Sequence, residues 1–184
     1  MKRILGTFCV AVALAVCTQA AFAQAPAPAA ATAPAAPVPP PPKGDKVGAM
    51  VPAWSAEIVG ETKTITSEEL KGKNYAIIFV NASCSACRGE LTELSGRKFG
   101  DKLTIMMGSM DFNPEKVVLV YRDAYKVPYP ILNDSKQTIS TVFGFESSPC
   151  SVIVGPDGKV LERFVGFSAA SREKVLAAFD KYSK

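Results

Sequence analysis

The stretch Tyr75-Ala76-Ile77-Ile78-Phe79-Val80-Asn81-Ala82-Ser83-Cys84-Ser85-Ala86-Cys87 decides the fold. Its first six residues are apolar without alternation, the pattern of a strand covered on both faces. Asn81, Ala82 and Ser83 end the run. From Cys84 onward the apolar positions Cys87, Leu91 and Leu94 recur at helical spacing, which predicts a helix beginning at or just before Cys84. Gly89 inside it costs about 1 kcal/mol relative to alanine. A buried strand that runs into Cys-x-x-Cys at a helix start has a chemical logic. The free N–H groups and dipole of a helix N-terminus stabilise a thiolate. Cys84 stands there and reads as the low-pKa nucleophile. Cys87 is one turn on, on the same side, and reads as the resolving thiol.

On either side of this stretch the pattern continues. Trp54 to Val59 and Lys63 to Thr66 read as a hairpin around Gly60-Glu61, and Ser67 to Leu70 as one helical turn. Lys102 to Gly108 predicts a second buried strand. Asn113 with Pro114 predicts a helix start running to about Tyr125. Val127 to Pro130 is extended, and Asp134 or Ser135 caps a short helix through Phe143. Ser151 to Val154 and Val160 to Phe167 are strands joined by the turn Gly155-Pro156-Asp157-Gly158. Ser171 caps a last helix with Val175, Leu176 and Phe179 on one face. Strand–helix–strand–helix followed by a hairpin and a helix is an α/β arrangement. It implies a mixed central sheet flanked by helices on both faces, its first strands parallel and its last pair antiparallel, with an N-terminal hairpin extension.

Ahead of this domain the chain changes character. Lys2 and Arg3 precede the mostly apolar run Ile4 to Val16. Ala21-Phe22-Ala23 then gives the small-x-small pattern of a signal-peptidase site, with cleavage before Gln24. An uncleaved anchor is the alternative, since Ile4 to Ala23 nearly spans a bilayer; lipidation at Cys17 is the weaker one, because Val16 is bulky. Residues 24–43, almost wholly Ala and Pro, form a flexible linker, and the folded domain covers 44–184. The expected location is the periplasm or cell envelope.

Composition removes several classes of chemistry. The chain has 184 residues, no histidine and a formal charge of +4, half of it from Lys2 and Arg3. Without histidine there is no Ser–His–Asp or Cys–His catalysis and no His-ligated metal. No basic cluster marks a nucleic-acid surface. Of the five cysteines, Cys9 and Cys17 lie in the leader, leaving Cys84, Cys87 and Cys150. Three thiols fall short of the four ligands of structural zinc.

Several motifs together give the domain a family likeness. Val47 to Trp54 resembles the opening Gly-x-x-x-Pro-x-aromatic segment of the TlpA/ResA-like redoxins, within the thioredoxin superfamily. Leu70-Lys71-Gly72-Lys73 precedes the first core strand as it does there. Cys84-Ser85-Ala86-Cys87-Arg88-Gly89-Glu90 is similar to the family's Cys-x-x-Cys-x-x-Glu. Pro130 to Asp134 and Gly144 match the segment before its proline loop, and Ser148 to Val154 with Asp157-Gly158-Lys159 its Pro-Thr-x-x-x-Ile-Asp-x-x-Gly stretch. The likeness covers residues 47–184. Ser83, Ala86, Thr92 and Cys150 depart from the family's usual Trp, Pro, Pro and Thr.

The resemblance implies a thioredoxin-like fold with a cis peptide bond before Pro149, on a loop beside the thiols. It implies an exported thiol–disulfide oxidoreductase that reduces disulfides of envelope proteins, cytochrome c maturation being the family's best-known task. The expected partners are exported protein thiols and a membrane electron donor. The chain is expected to be a monomer with no cofactor beyond the Cys84–Cys87 disulfide. Glu90, three residues after Cys87, is a candidate for proton transfer. Cys150 is either a third redox thiol or a small core side chain. Two other functions compete. One is copper(I) binding by Cys84, Cys87 and Cys150, with Met106, Met107 or Met110 as further soft ligands or simply strand core. The other is a peroxiredoxin-like peroxidase, although Val80 to Ser83 lacks the Pro and Thr that precede the attacking cysteine in that family.

Overall fold

The computed structural model describes residues 43–184. The expected leader (1–23) and nearly all of the expected Ala/Pro linker (24–43) lie outside the described residues. Strand β3 (Asn74–Val80) is the central strand of a five-stranded sheet. Its neighbours are β4 (Leu103–Ser109), parallel to it, and β6 (Cys150–Val154), antiparallel. β5 (Ile131–Asn133) adds parallel to β4, and β7 (Val160–Val165) antiparallel to β6. A separate antiparallel hairpin, β1 (Ser55–Glu57) with β2 (Thr64–Thr66), precedes the sheet. The expected mixed sheet and hairpin extension are both present.

The unbroken apolar run of β3 is explained by its two covered faces. Ala76, Ile78 and Val80 pack on one face with Leu91 and Leu94 of helix α1 (Ser85–Ser95), Tyr121 of α2 (Pro114–Tyr125), and Val175, Leu176 and Phe179 of α4 (Ala169–Tyr182). Tyr75, Ile77 and Phe79 pack on the other with Ala56 of β1, Leu70 of a single 3₁₀ turn (Glu68–Leu70), and Ile139 of α3 (Thr138–Val142). Strand alternation thus assigns each β3 side chain from Tyr75 to Val80 to one of two cores.

Some local expectations shift. β5 follows the extended segment Val127 to Pro130 and is not expected from the sequence; three residues carry too little pattern to declare a strand, and Ile58 and Val59 beside the hairpin pair with its edge. The cap of α4 is Ser168, not Ser171. Ser168 Oγ accepts from the Ser171 N–H, and Ser171 Oγ accepts from the Ser168 N–H, so the residue expected at the cap stands at the third helical position of a capping box. Asn113 precedes α2 without a side-chain cap bond, and Pro114 alone marks the start. The N-cap position of α3 is Gln137, not Asp134 or Ser135, but the Asp134 carboxylate reaches in from outside the helix and accepts from the N–H groups of Ile139 (2.8 Å) and Ser140 (3.0 Å). The β6–β7 turn needs Gly158, which holds φ +79° and there avoids the strain of a Cβ.

Candidate active site

Because β3 and β4 are parallel, their carboxyl ends share one edge of the sheet, and the Cys-x-x-Cys segment stands there. Cys84 is the N-cap of α1, with extended backbone (φ −85°, ψ 112°), and its Sγ accepts from the Cys87 N–H at 3.1 Å. A group in this position collects the unpaired donors of the first helical turn, which is the geometry that favours a thiolate. Cys84 and Cys87 are joined as a disulfide with a Cα–Cα separation of 5.3 Å. Cys84 is half-buried whereas Cys87 is 1% exposed, so an incoming sulfur reaches Cys84 and not Cys87.

The loop expected to face the thiols does so. The Ser148–Pro149 bond is cis, and the Ser148 carbonyl oxygen lies 3.6 Å from Cys84 Sγ. The Pro149 carbonyl accepts from the Gly166 N–H at 2.8 Å, which ties this loop to the end of β7.

Glu90 is buried on the same side of α1 as Cys87. Ser151 Oγ–H of β6 donates to its Oε1, linking helix to sheet beneath the disulfide. Burial pushes the Glu90 carboxyl up to about 7, with the Ser151 hydrogen bond working in the opposite direction. The carboxyl therefore exchanges its proton near neutrality, where thiol chemistry needs an acceptor. The raised folded-state pKa has a stability consequence with a fixed sign. The contribution is fully present below the unfolded carboxylate pKa, near 4.3, and is lost as pH rises toward about 7. Thermal melts of the oxidised protein from pH 4 to 8 are expected to show this fall, and Glu90→Gln to flatten it. The same variant should shift the pH profile of disulfide reduction by more than about half a unit. Identical profiles would reduce Glu90 to a packing role.

Cys150 is placed differently from Cys84 and Cys87. It opens β6 opposite Phe79, and its side chain joins the core on the far face of the sheet, whereas Cys87 packs on the α1 face. Its Sγ–H donates to the Ser147 carbonyl at 3.0 Å, as the hydroxyl of a threonine would. Burial pushes its thiol pKa up. Of the two readings of Cys150, this position favours the small core side chain, on the sheet face opposite Cys87. The methionines named as further soft ligands divide between the two cores. Met106 packs in the far-face core and Met107 in the α1-face core, while Met110 lies against the far-face core. No group of three or more His, Cys, Asp or Glu suited to a metal occurs among the described residues. Cys150→Ser is expected to leave insulin reduction within about twofold of wild type while lowering Tm, since a hydroxyl replaces a buried thiol. An altered disulfide map in the oxidised variant would contradict this placement.

Asp111 was not singled out by the sequence. It follows β4 at the same sheet edge, is 7% exposed, and its Oδ1 accepts from the Ala82 N–H at 2.9 Å, two residues before Cys84. An aspartate two residues past a buried parallel strand, at the carboxyl edge where sites of α/β sheets gather, was the available signal.

Comparison with known proteins agrees with this geometry. The chain is 26% identical over 108 residues to the thiol-disulfide oxidoreductase ResA of Bacillus thuringiensis (strain Al Hakam), covering 58% of this chain and 62% of that protein, less than two thirds of its length. It is 26% identical over 129 residues to the thioredoxin-like protein YneN of Bacillus subtilis (strain 168), covering 67% of this chain and 74% of that one. The thioredoxin domain of a thiol-disulfide oxidoreductase from Bacteroides vulgatus superposes with a TM-score of 0.58 at 21% identity, over 73% of this chain and 98% of that one, which establishes the thioredoxin-like fold. The AhpC/TSA family model matches residues 47–163, from the segment before the hairpin into β7, and spans both halves of the site. With its thioredoxin-like sheet and its cysteine pair at the head of α1, this chain belongs to the AhpC/TSA family.

Proposed function

We propose that this protein is an exported thiol–disulfide oxidoreductase that reduces disulfides of cell-envelope proteins. The observation that carries the reading is the position of Cys84. It is the N-cap of α1, reachable from solvent, disulfide-bonded to buried Cys87 and faced by the Ser148–Pro149 loop. In the reduced protein the Cys84 thiolate attacks a client disulfide. A Cys84–client S–S bond forms and the client's other sulfur leaves as a thiolate. Cys87, giving its proton toward the Glu90 carboxylate, then attacks Cys84 Sγ. The Cys84–Cys87 disulfide closes, the second client sulfur departs, and two electrons have passed to the client. A membrane thiol donor returns the pair to the dithiol, and no other cofactor takes part.

Export is supported by the charged start, apolar run and Ala21-Phe22-Ala23 of the N-terminus, and the Ala/Pro linker gives the domain reach from a membrane. Cytochrome c maturation, where apoprotein thiols must be kept reduced, is the task this chemistry suits. The chain acts as a monomer. The test is insulin reduction with dithiothreitol as donor, run beside peroxide consumption. Catalysed insulin reduction with peroxide turnover at background supports the reading, and the reverse pattern replaces it with a peroxidase.

A further inference from the structure

We propose that Asp111 is a positioning residue for Cys84, fastening the loop that delivers the thiol to the N-cap. The proposal rests on thiol–disulfide exchange at Cys84. Residues 81–83 join β3 to α1 and have few supports of their own. Asn81 Oδ1 accepts from the Ser83 N–H at 3.0 Å, and the Asn81 carbonyl accepts from the Cys84 N–H at 3.0 Å. These bonds are local to the loop, so they shape it without attaching it to the body of the protein. The Ala82 N–H is different: it donates to Asp111 Oδ1 at 2.9 Å, across from β3 to the end of β4. Nearby, the Met110 N–H donates to the Val80 carbonyl at 2.9 Å, which continues the β3–β4 pairing to the edge of this loop.

The carboxylate is itself held from two sides. Its Oδ2 accepts from Ser109 Oγ–H on β4 at 2.9 Å and from Tyr121 Oη–H on α2 at 3.0 Å. Tyr121 is 1% exposed, and burial, with the neighbouring Asp111 charge, pushes its pKa far up, so it remains a donor across the working range. Three donors on one carboxylate fix its orientation, and that orientation fixes Ala82. Two residues later, Cys84 Sγ meets the Cys87 N–H. Loosening Ala82 would let that alignment drift and weaken the helix terminus as a thiolate partner.

Charge and position predict opposite results, which makes the proposal testable. Removing a nearby negative charge favours a thiolate, whereas losing the clamp disfavours it. Asp111→Asn keeps an oxygen for the Ala82 N–H and removes the charge; Asp111→Ala removes both. The rate of iodoacetamide alkylation of Cys84 in the reduced protein would be read by peptide mass spectrometry from pH 4 to 9, beside thermal melts. Asp111→Ala is expected to slow Cys84 alkylation at pH 6 by about threefold or more, while Asp111→Asn stays within about twofold of wild type. A lower Tm with the Cys84 profile unmoved overturns the proposal, as does faster alkylation in both variants. If Asp111→Ala does not fold, Tyr121→Phe carries the test. It frees one side of the carboxylate, and a Cys84 profile identical to wild type then overturns the clamp. The alkylation profile is read independently of insulin reduction, so failure of the wild type to reduce insulin counts against the oxidoreductase reading and not against Asp111.

Discussion

Cys84→Ser is expected to abolish catalysed insulin reduction, a loss of at least about a hundredfold, because no other side chain at the site can form the covalent intermediate. Cys87 does not substitute for it, being 1% exposed beneath the helix start. Cys150 does not either, since its side chain lies in the opposite core. The companion variant separates the two roles. Cys87→Ala leaves Cys84 able to attack and unable to be released, so the client accumulates as a mixed disulfide that dithiothreitol dissolves. Non-reducing gels and mass spectrometry of an envelope extract would detect the adduct and name the client. An adduct that persists in Cys84→Ser, or faster alkylation of Cys87 than of Cys84 at mildly acidic pH, would reverse the assignment.

The second large effect falls on the core beneath the far face. Phe79→Ala is expected to destabilise the protein by about 3–5 kcal/mol. Phe79 is 0% exposed and lies in the central strand, between Gly108 of β4 and Cys150 of β6. Its ring stands 6.0 Å from Phe143 and 5.5 Å from Phe145. The absence of a side chain at Gly108 is what admits it, because a Cβ there would sit 2.6 Å from Phe79 Cδ1. The surroundings are therefore shaped to this ring, and sheet backbone on both sides leaves little to collapse into the void. Urea unfolding at constant m-value measures the loss. A change below about 1 kcal/mol would mean that the cluster repacks.

What the sequence made legible followed from the strength of each local signal. β3 and the start of α1 were readable because six apolar residues without alternation, followed by helical spacing, leave few competing arrangements. The β6–β7 turn was readable because Gly155-Pro156-Asp157-Gly158 has its own backbone requirements. β5 was not, since three residues owe their strand geometry to β4 and to the hairpin at their other edge. At the site, Cys84 and Cys87 carry a spacing that means something by itself. The cis bond before Pro149 was anticipated from family likeness, not from the residues. For Cys150 the family departure drew attention, but only strand register reveals which face of the sheet it takes. Asp111 was invisible for a related reason: its partners Ala82 and Tyr121 are 29 and 10 residues away, and only the parallel pairing of β3 with β4 and the packing of α2 on the sheet bring them together.

The sequence separation of the Cys84–Cys87 link is 3. A cross-link stabilises a protein chiefly by restricting its unfolded chain, and the restriction grows with the length of the loop it closes. Here that loop is among the shortest a disulfide can close, and its contribution is on the order of 2 kcal/mol, well below that of a link between distant segments. The two cores on either face of β3, not the link, hold the domain together. Opening and closing the bond thousands of times therefore need not carry the chain toward unfolding. A carrier of electrons is served by this separation, because its chemistry can turn over while its architecture stands still.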